Sequence, residues 1–169
     1  MDTLKKRIEL YNEYFNILAA YDDDMQDVSV GEINDIAMNY AMDPNAAWID
    51  ISDGDMIVGF LIVCSNEDEA ECHPDADYTI AQAYVSKGHR RKGLMSRVVE
   101  DFMHDHPGVY AYDTLKGNEP AEIFWNKLWD RLLLTIRRTY LPEVREDADN
   151  IRLHGITVGK LYEKNKKEK

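Results

Sequence analysis

The sequence predicts an α/β domain in which helices pack against a mixed β-sheet. Two helical patterns precede a strong hairpin signal, a strand–helix–strand unit occupies the middle of the chain, and the whole order is ααββ-βαβαββ. Strands joined by a helix are expected to be parallel neighbours with a right-handed crossover. With 169 residues, the chain is expected to form one domain over residues 1–159 and a basic tail over residues 160–169.

The first two predicted elements are amphipathic helices. The first has apolar residues at steps of three and four, namely Leu4, Ile8, Tyr11, Phe15 and Leu18. After an acidic break at residues 21–24, the second begins with the capping box Ser29-x-x-Glu32. It ends at Asp43, because the following proline disfavours helical geometry in the residue before it.

Strands follow the two helices. Residues 47–51 and 56–64 are rich in β-forming residues, and Asp53-Gly54 between them predicts a tight hairpin. Residues 66–77 are acidic and aperiodic, which predicts a loop. The remaining elements are expected to be strand 78–85, a helix marked by Leu94, Val98, Val99 and Phe102, strand 109–114, helix 119–129, and strands 132–140 and 151–158.

Composition excludes several classes of protein. The net charge of −12 argues against a general nucleic-acid binder, because no phosphate-neutralising surface is implied. The longest apolar run, residues 56–64, is too short to span a bilayer, and no signal peptide follows Met1. Two cysteines fit neither a disulfide framework nor a zinc site. We therefore expect a soluble, cytoplasmic protein with no metal, nucleic-acid partner or membrane partner.

The turn between strand 78–85 and the following helix has the chemistry of an anion site. The first turn of a helix presents unpaired N–H groups and the positive end of its dipole, which favour phosphate. Gly93 lets a phosphate approach the backbone, and Arg90, Arg91 and Lys92 add positive charge. Taken alone, a basic loop before a helix is more often only a solvated turn.

A second stretch follows strand 109–114. Asn118 is a good N-cap, and Ala121, Phe124 and Leu128 share one face of the helix that it begins. This pattern fits a capped helix packed on the sheet. It fits equally a small residue and an aromatic pair beside a narrow ligand channel.

Together the two stretches resemble the GNAT (Gcn5-related N-acetyltransferase) superfamily. Arg90-x-x-Gly93-x-Met95 is similar to the family's Q/R-x-x-G-x-G/A loop, and Asn118-x-x-Ala121-x-x-Phe124-Trp125 to its N-x-x-A-x-x-[LF]-Y helix. The resemblance covers residues 78–129 directly. It implies a mostly antiparallel sheet with a splayed parallel strand pair, and direct transfer of an acetyl group from acetyl-CoA to a primary amine in a ternary complex.

The resemblance also implies where acetyl-CoA lies. The pantetheine and acetyl end would lie in the splay, along the backbone around Val85, and Asn118 would lie along the pantetheine arm. The N–H groups from Arg91 to Ser96 would bind the pyrophosphate, with Arg90 positioning the loop. The implied set is Tyr84, Val85, Arg90, Arg91, Lys92, Gly93, Leu94, Met95, Ser96, Asn118 and Trp125.

Two residues depart from the family pattern. Met95 stands where Gly or Ala is usual, and it obstructs the ligand only if its side chain points away from the core. Trp125 stands where many members place the tyrosine that protonates the leaving thiolate, and an indole N–H is not a proton source near neutral pH. Tyr110, Tyr112 and Asp113 are candidates for that acid by proximity, with Tyr112 and Asp113 preferred.

In this family the acceptor is bound near the connection of the first two helices and the loop between the last two strands. Here those stretches are residues 21–27 and 143–149, and both are acidic. A cationic amine is the expected acceptor, such as a polyamine, an aminoglycoside-like sugar or a Lys-bearing peptide, with Asp22, Asp23 and Asp24 as candidate contacts. Solvated loops on an acidic protein would explain the same acidic residues. The sequence is also compatible with a homodimer.

Two alternative functions have sequence features for or against them. Met95 and Trp125 favour a catalytically weak or inactive acyl-CoA sensor of the same fold. A nucleotide binder on an unrelated scaffold is disfavoured, because the chain contains neither G-x-x-x-x-G-K-[ST] nor G-x-G-x-x-G.

Overall fold

The computed structural model describes residues 2–65, 76–115, 117–135, 144–148 and 151–157. Its helices are α1 (Thr3–Leu18), α2 (Val30–Met42), α3 (Leu94–Asp105) and α4 (Glu119–Thr135). Its strands are β1 (Ala46–Asp53), β2 (Met56–Ser65), β3 (Tyr78–Val85), β4 (Val109–Leu115), β5 (Val144–Ala148) and β6 (Ile151–Thr157). The predicted tail over residues 160–169 and most of the predicted loop over 66–77 lie outside the described residues.

The strands form one sheet in the order β1-β2-β3-β4-β6-β5. Among these described strands, β3 and β4 are parallel and α3 connects them, whereas each of the other neighbouring pairs is antiparallel. The sheet therefore confirms the predicted α/β class, including its mixed, mostly antiparallel character. The predicted capping box at the start of α2 is also formed, with Ser29 and Glu32 each bonding the other's backbone N–H.

Two apolar cores lie on opposite faces of the sheet. Side chains of β2 alternate between them: Phe60 and Ile62 join the core under α1 and α2, while Leu61 and Val63 join the core under α3 and α4. The second of these cores includes Trp125 and Trp129 from α4. The pair α1 and α2 consequently covers one face of the sheet, and the pair α3 and α4 covers the other.

The predicted strand over residues 132–140 is wrong where it can be compared. Residues 132–135 form the last turn of α4, and Leu132 is buried in the core; residues 136–140 lie outside the described part. The run Leu132-Leu-Leu-Thr reads alike as a strand or a buried helix. Here Leu132 continues the apolar face of Trp125, Leu128 and Trp129, since it lies seven residues after Trp125 and three after Trp129.

The fifth strand lies later in the chain, at Val144–Ala148, inside the stretch predicted to be an acidic acceptor loop. Its pairing with β6 makes it the edge of the sheet. Charged residues are usual on edge strands, because they discourage pairing with another chain. The acidity of residues 143–149 therefore has a structural explanation, and the expectation of a loop over that whole stretch is corrected.

The parallel pair is splayed, as the resemblance implied. Residues Tyr78, Thr79 and Ile80 of β3 pair with Tyr110, Ala111 and Tyr112 of β4, and the ladder stops there. At the same point β3 carries a bulge opposite β2, because Ile80 pairs with Val63 but Gln82 pairs with Ile62, leaving Ala81 as the extra residue. A bulge bends the strand that carries it, and here it coincides with the end of the ladder to β4.

The far end of β3 is held to β2 by a glycine. Gly59 pairs with Val85, and a Cβ on Gly59 would collide with the backbone carbonyl oxygen of Tyr84. Only glycine permits this approach of the two strands. Gly59 thus fixes the end of β3, from which the basic loop departs.

Candidate functional site

The splay leaves a stretch of strand backbone facing an open gap. Beyond Ile80, residues 81–85 of β3 have no ladder partner on the described strand β4. Backbone N–H and C=O groups are strong hydrogen-bonding groups that seldom remain unpaired when covered. An extended, amide-containing ligand inserted between the strands would supply such partners, as an added strand does.

The bulge at Ala81 resets which side chains face each core. Ile80 and Ala83 pack towards α3 and α4, while Ala81 and Gln82 both face α1 and α2. Without the extra residue, Gln82 would point to the opposite face. The bulge therefore places a carboxamide beside the opening of the splay.

Two phenols hold the Gln82 carboxamide. The hydroxyl of Tyr14, on α1, donates to Oε1 of Gln82, and Nε2 of Gln82 donates to the hydroxyl of Tyr40, on α2, at 3.5 Å. Sequence analysis singled out neither Tyr14 nor Tyr40 as a site residue. The sequence signal available was the presence of hydroxyl groups on otherwise apolar stripes.

A second polar cluster lies at the end of β3. The hydroxyls of Tyr84 and Ser86 both donate to Oε2 of Glu13, each at 3.0 Å. Burial, followed by the hydrogen bond to Glu13, raises the pKa of the Tyr84 phenol above its ordinary value. Tyr84 is therefore a neutral phenol near pH 7, and Glu13 is a site residue that no local sequence signal indicated.

The turn that leads into α3 has an unusual backbone. Residues Lys87–His89 form one 3₁₀ turn, and both Arg91 (φ 63°) and Gly93 (φ 73°) are left-handed. A left-handed non-glycine residue costs roughly 1–2 kcal/mol. Gly93 is the N-cap of α3, yet no side chain of the described residues caps the helix, and a Cβ built on Gly93 would meet no heavy atom within 4 Å. The helix N-terminus therefore faces open space.

Arg90 holds this turn to the strand. Its Nε donates to the carbonyl oxygen of Val85 at 2.7 Å, and its guanidinium lies 5.7 Å from the centroid of the Tyr84 ring. These contacts agree with a positioning role for Arg90. Arg91, by contrast, is exposed next to the open N-terminus of α3.

Lys92 and His89 contact a different element. Both reach the same carboxylate oxygen of Asp53 at the end of β1, Lys92 Nζ at 2.5 Å and His89 Nδ1 at 2.8 Å. The hydrogen bonds from Lys92 and then His89 hold the pKa of Asp53 below its ordinary value. The predicted phosphate-binding Lys92 is thus also part of an ion pair with the β1–β2 hairpin.

Met95 points into the core. Its side chain is 9% exposed and packs in the core under α3 and α4. The orientation that sequence analysis left open is therefore settled: the methionine does not cover the backbone N–H groups of the turn. Leu94 packs against the same core, and Ser96 is half-buried.

Trp125 is also a core residue. Its ring is 6% exposed, stacks on Trp129 with centroids 5.4 Å apart and contacts Phe124 edge-on. Tyr112, the first candidate acid, lies 5.0 Å from the Trp125 ring and accepts a 2.8 Å hydrogen bond from Nε1 of Trp129. Tyr110 donates to the carbonyl oxygen of His106 at 2.5 Å.

The other predicted site residues have local contacts. Asn118 is the predicted N-cap of α4: Oδ1 accepts from the N–H of Ala121 at 3.4 Å. Asp113 lies on β4 opposite Leu153 of β6, and its side chain is outside the described part. Asp22 accepts from the N–H of Asp24, and Asp23 accepts from Nε2 of Gln26 in the turn between α1 and α2.

Within the described ranges, no three His, Cys, Asp or Glu side chains come together in a way that could hold a metal ion. In those same ranges, every helix is too short or too polar to cross a bilayer.

The family model of the Acetyltransferase (GNAT) family matches residues 6–128. No curated protein sequence matches the chain at a significant level. The fold is similar to an N-acetyltransferase from Staphylococcus aureus Mu50, with a TM-score of 0.64, 12% identity and coverage of 92% of this chain and 96% of that one. It is also similar to an acetyltransferase from Thermus thermophilus, with a TM-score of 0.60, 18% identity and coverage of 90% of this chain and 86% of that one.

A third similar structure is the PaiA N-acetyltransferase from Thermoplasma acidophilum in complex with coenzyme A, with a TM-score of 0.59, 10% identity and coverage of 91% of this chain and 92% of that one. At such identities, similarity between structures shows the fold alone. The family model carries more, because it spans most of the chain, including the splay, the basic turn and the start of α4. This protein belongs to the GNAT acetyltransferase family.

Proposed function

We propose that this protein transfers an acetyl group from acetyl-CoA to a primary amine of a cationic acceptor. The observation that carries the proposal is the junction of β3 and α3, where a splayed strand pair leads directly into a basic turn and an uncapped helix N-terminus. Membership of an acetyltransferase family supports the reaction class. The similar fold that holds coenzyme A supports the choice of cosubstrate.

The phosphates of the cosubstrate fit the turn before α3. Its N–H groups from Arg91 to Ser96 lie at the positive end of the helix dipole, and no described side chain competes for them as a cap. The open space beside Gly93 admits a phosphate, and Met95 is turned away into the core. Arg91 and Lys92 add charge that attracts a phosphate.

The pantetheine arm fits the splay. Its amides would pair with the backbone of β3 around Tyr84 and Val85, where the ladder to β4 is absent. Asn118, at the start of α4, would lie along the same arm. The thioester carbonyl carbon is the atom that the acceptor nitrogen attacks directly, and the C–S bond breaks to release a thiolate.

The departing thiolate needs a proton, and Trp125 does not supply one because indole is not an acid near neutral pH. We assign this role to Tyr112, with Asp113 as the alternative. Tyr112 pairs with Ile80 at the last step of the parallel ladder, so it stands where the strands separate. A phenol both donates and accepts, so accepting from Trp129 orients the Tyr112 oxygen without consuming its proton.

The amine must lose a proton before it attacks. For a group with a pKa near 10.4, this costs about 4 kcal/mol at pH 7.4. Gln82 and Tyr84 are neutral near pH 7, so they would order a water molecule or the amine rather than act as the base. Asp22, Asp23 and Asp24 would attract a cationic acceptor at long range.

One observation favours a second candidate function. Trp125 is buried and stacked in the core, so the position that many family members use for a proton donor is filled by a group that has none to give. A protein that binds acyl-CoA as a sensor, without transfer, would be compatible with this core.

Two measurements on the purified chain test the proposal. Calorimetry determines the Kd for acetyl-CoA, and a spectrophotometric thiol assay measures CoA release with polyamines, aminoglycosides and Lys-bearing peptides. Binding with amine-dependent release supports the transferase, and binding without release from any amine supports the sensor. Absence of acetyl-CoA binding would overturn both.

A further inference from the structure

A carboxylate from outside the basic turn contacts it at two places. One oxygen of Asp53, at the end of β1, lies 2.5 Å from Nζ of Lys92 and 2.8 Å from Nδ1 of His89. His89 belongs to the 3₁₀ turn, and Lys92 directly precedes Gly93, so the two contacts bracket the left-handed Arg91. The β1–β2 hairpin is thereby tied to both ends of the turn.

These contacts are expected to affect the conformation of the turn, because the backbone of the turn is strained. Arg91 and Gly93 are both left-handed with one residue between them, and this geometry is unfavourable for Arg91 and requires an external restraint. Arg90 supplies one restraint through the carbonyl oxygen of Val85, and Asp53 supplies the other from a different strand. The side chains of Asp53 and His89 are 29% and 26% exposed, so the pair is partly shielded from solvent.

We propose that Asp53 is a positioning residue for CoA binding: it holds the turn over residues 87–93 in the conformation that aims the first N–H groups of α3 at the phosphates. The inference rests on the proposed function, because it needs CoA to bind at this turn. It assigns to the β1–β2 hairpin a part in ligand affinity through the contacts of Asp53 with the turn.

Because Asp53 is negatively charged, the direction in which the Kd for CoA changes on its removal tests this inference. An anionic residue beside a phosphate site opposes binding by Coulomb repulsion, so removing it should strengthen binding of CoA if charge alone acts. If Asp53 instead holds the turn, its removal must weaken binding although the site becomes more positive. A variant that populates the competent turn one tenth of the time would show a Kd raised about tenfold.

Asp55 provides a matched control. It lies on the same hairpin two residues away, is exposed, and its neutralisation removes the same charge. We expect Asp53→Ala to raise the Kd for CoA about tenfold in calorimetry, and Asp55→Ala to leave it unchanged or lower it. Asp53→Glu keeps the charge and can still reach both donors, and it should restore the Kd to within about threefold of the parent.

A second readout separates positioning from general loss of structure. Hydrogen exchange of the free protein should be faster in Asp53→Ala for the amides of residues 87–93, with the amides of β2 unchanged. The Kd for pantetheine, which carries no phosphate, should stay within about twofold of the parent. Equal or tighter CoA binding by Asp53→Ala, or equal weakening for pantetheine, would overturn the inference. Failure of the parent to bind CoA would instead overturn the proposed function.

Discussion

Trp129 donates its indole N–H to the phenol oxygen of Tyr112 at 2.8 Å inside the core between the sheet and α4. Indole is only a donor, so the Tyr112 oxygen must be the acceptor in this contact. The bond joins α4 to β4 at the last residue of β4 that pairs with β3. One hydrogen bond therefore fixes the orientation of a buried core phenol and attaches α4 to the sheet.

Removal of the Tyr112 hydroxyl should affect both stability and turnover. Tyr112→Phe leaves a buried indole N–H without its acceptor, which costs about 1–3 kcal/mol of unfolding free energy. If Tyr112 protonates the thiolate, kcat should also fall by roughly 100-fold or more. Denaturant unfolding and steady-state kinetics measure the two effects.

The control for this variant is Trp129→Phe, which removes the same hydrogen bond but keeps the phenol. It should lose stability while keeping kcat within about tenfold of the parent. Equal kcat values for Tyr112→Phe and the parent would restrict Tyr112 to a structural role.

An acidic residue in place of Gly93 should weaken cosubstrate binding. Gly93→Glu places a carboxylate in the open space before α3, where phosphate is proposed to bind, and we expect the Kd for acetyl-CoA to rise at least tenfold, or about 1.4 kcal/mol. Gly93→Asn is the matched variant, because asparagine tolerates left-handed geometry and adds no charge. Calorimetry that shows unchanged binding by Gly93→Glu would place the phosphates elsewhere.

Most of the fold could be predicted because it depends on local patterns. Each local pattern is formed by residues that are close in sequence. This holds for the apolar stripe of α1, the capping box of α2 and the hairpin signal. The end of α4 and the position of β5 were not predictable in this way. An apolar run such as residues 132–135 fits either element, and a charged edge strand such as Val144–Ala148 resembles a loop.

In the candidate site, too, features formed by contiguous residues were predictable and contacts between distant residues were not. The basic turn and the glycine at its end are contiguous, so the sequence predicts them. The contacts that hold them are not: Asp53 and Lys92 are 39 residues apart, Tyr14 and Gln82 are 68 apart, and Glu13 and Tyr84 are 71 apart. Such pairs arise from packing of α1 and the hairpin on the sheet, and no local pattern encodes them.

Acceptor charge can be tested at the turn between α1 and α2. Changing Asp22, Asp23 and Asp24 together to Asn should raise KM for a cationic amine several-fold, because each exposed charge contributes roughly 0.2–1 kcal/mol. The local fold should survive, since Asn at position 22 can still accept from the N–H of residue 24. The Kd for acetyl-CoA should not change, and added salt should reproduce part of the loss.

The control removes the same charge from exposed acids elsewhere, through Asp35→Asn, Asp101→Asn and Asp130→Asn combined. If KM for the cationic amine changes equally in both triple variants, or in neither, Asp22, Asp23 and Asp24 are only solvated turn residues.

The Asp53 contact should give a pH dependence of stability with a definite sign. Hydrogen bonds from Lys92 and His89 lower the pKa of Asp53 in the folded protein, so its ionised form is favoured by folding. The resulting stability is fully present above the ordinary pKa of about 3.9 and is lost as pH falls through the lowered value. The difference in Tm between the parent and Asp53→Asn should shrink as pH falls from about 5 towards 3. A difference that grows over this acid range would contradict this sign.

We expect Trp125 to fill the core and to transfer no proton. Trp125→Phe keeps a large apolar ring, so kcat should fall by less than about tenfold, or 1.4 kcal/mol. Trp125→Ala removes a ring that stacks on Trp129 and is 6% exposed, and it should cost about 3–5 kcal/mol of unfolding free energy.

Trp125→Tyr is the sharper probe, because it restores the usual residue of the family at this position. If its phenol reaches the leaving sulfur, kcat should be higher than in the parent. The kcat of this variant should then decline above a pH near 10, the ordinary pKa of tyrosine. Thermal unfolding of each variant separates lost catalysis from lost structure. Should Trp125→Phe abolish turnover while acetyl-CoA binding and Tm stay at parent values, the indole N–H acts in the transition state, and the assignment of the proton donor to Tyr112 fails.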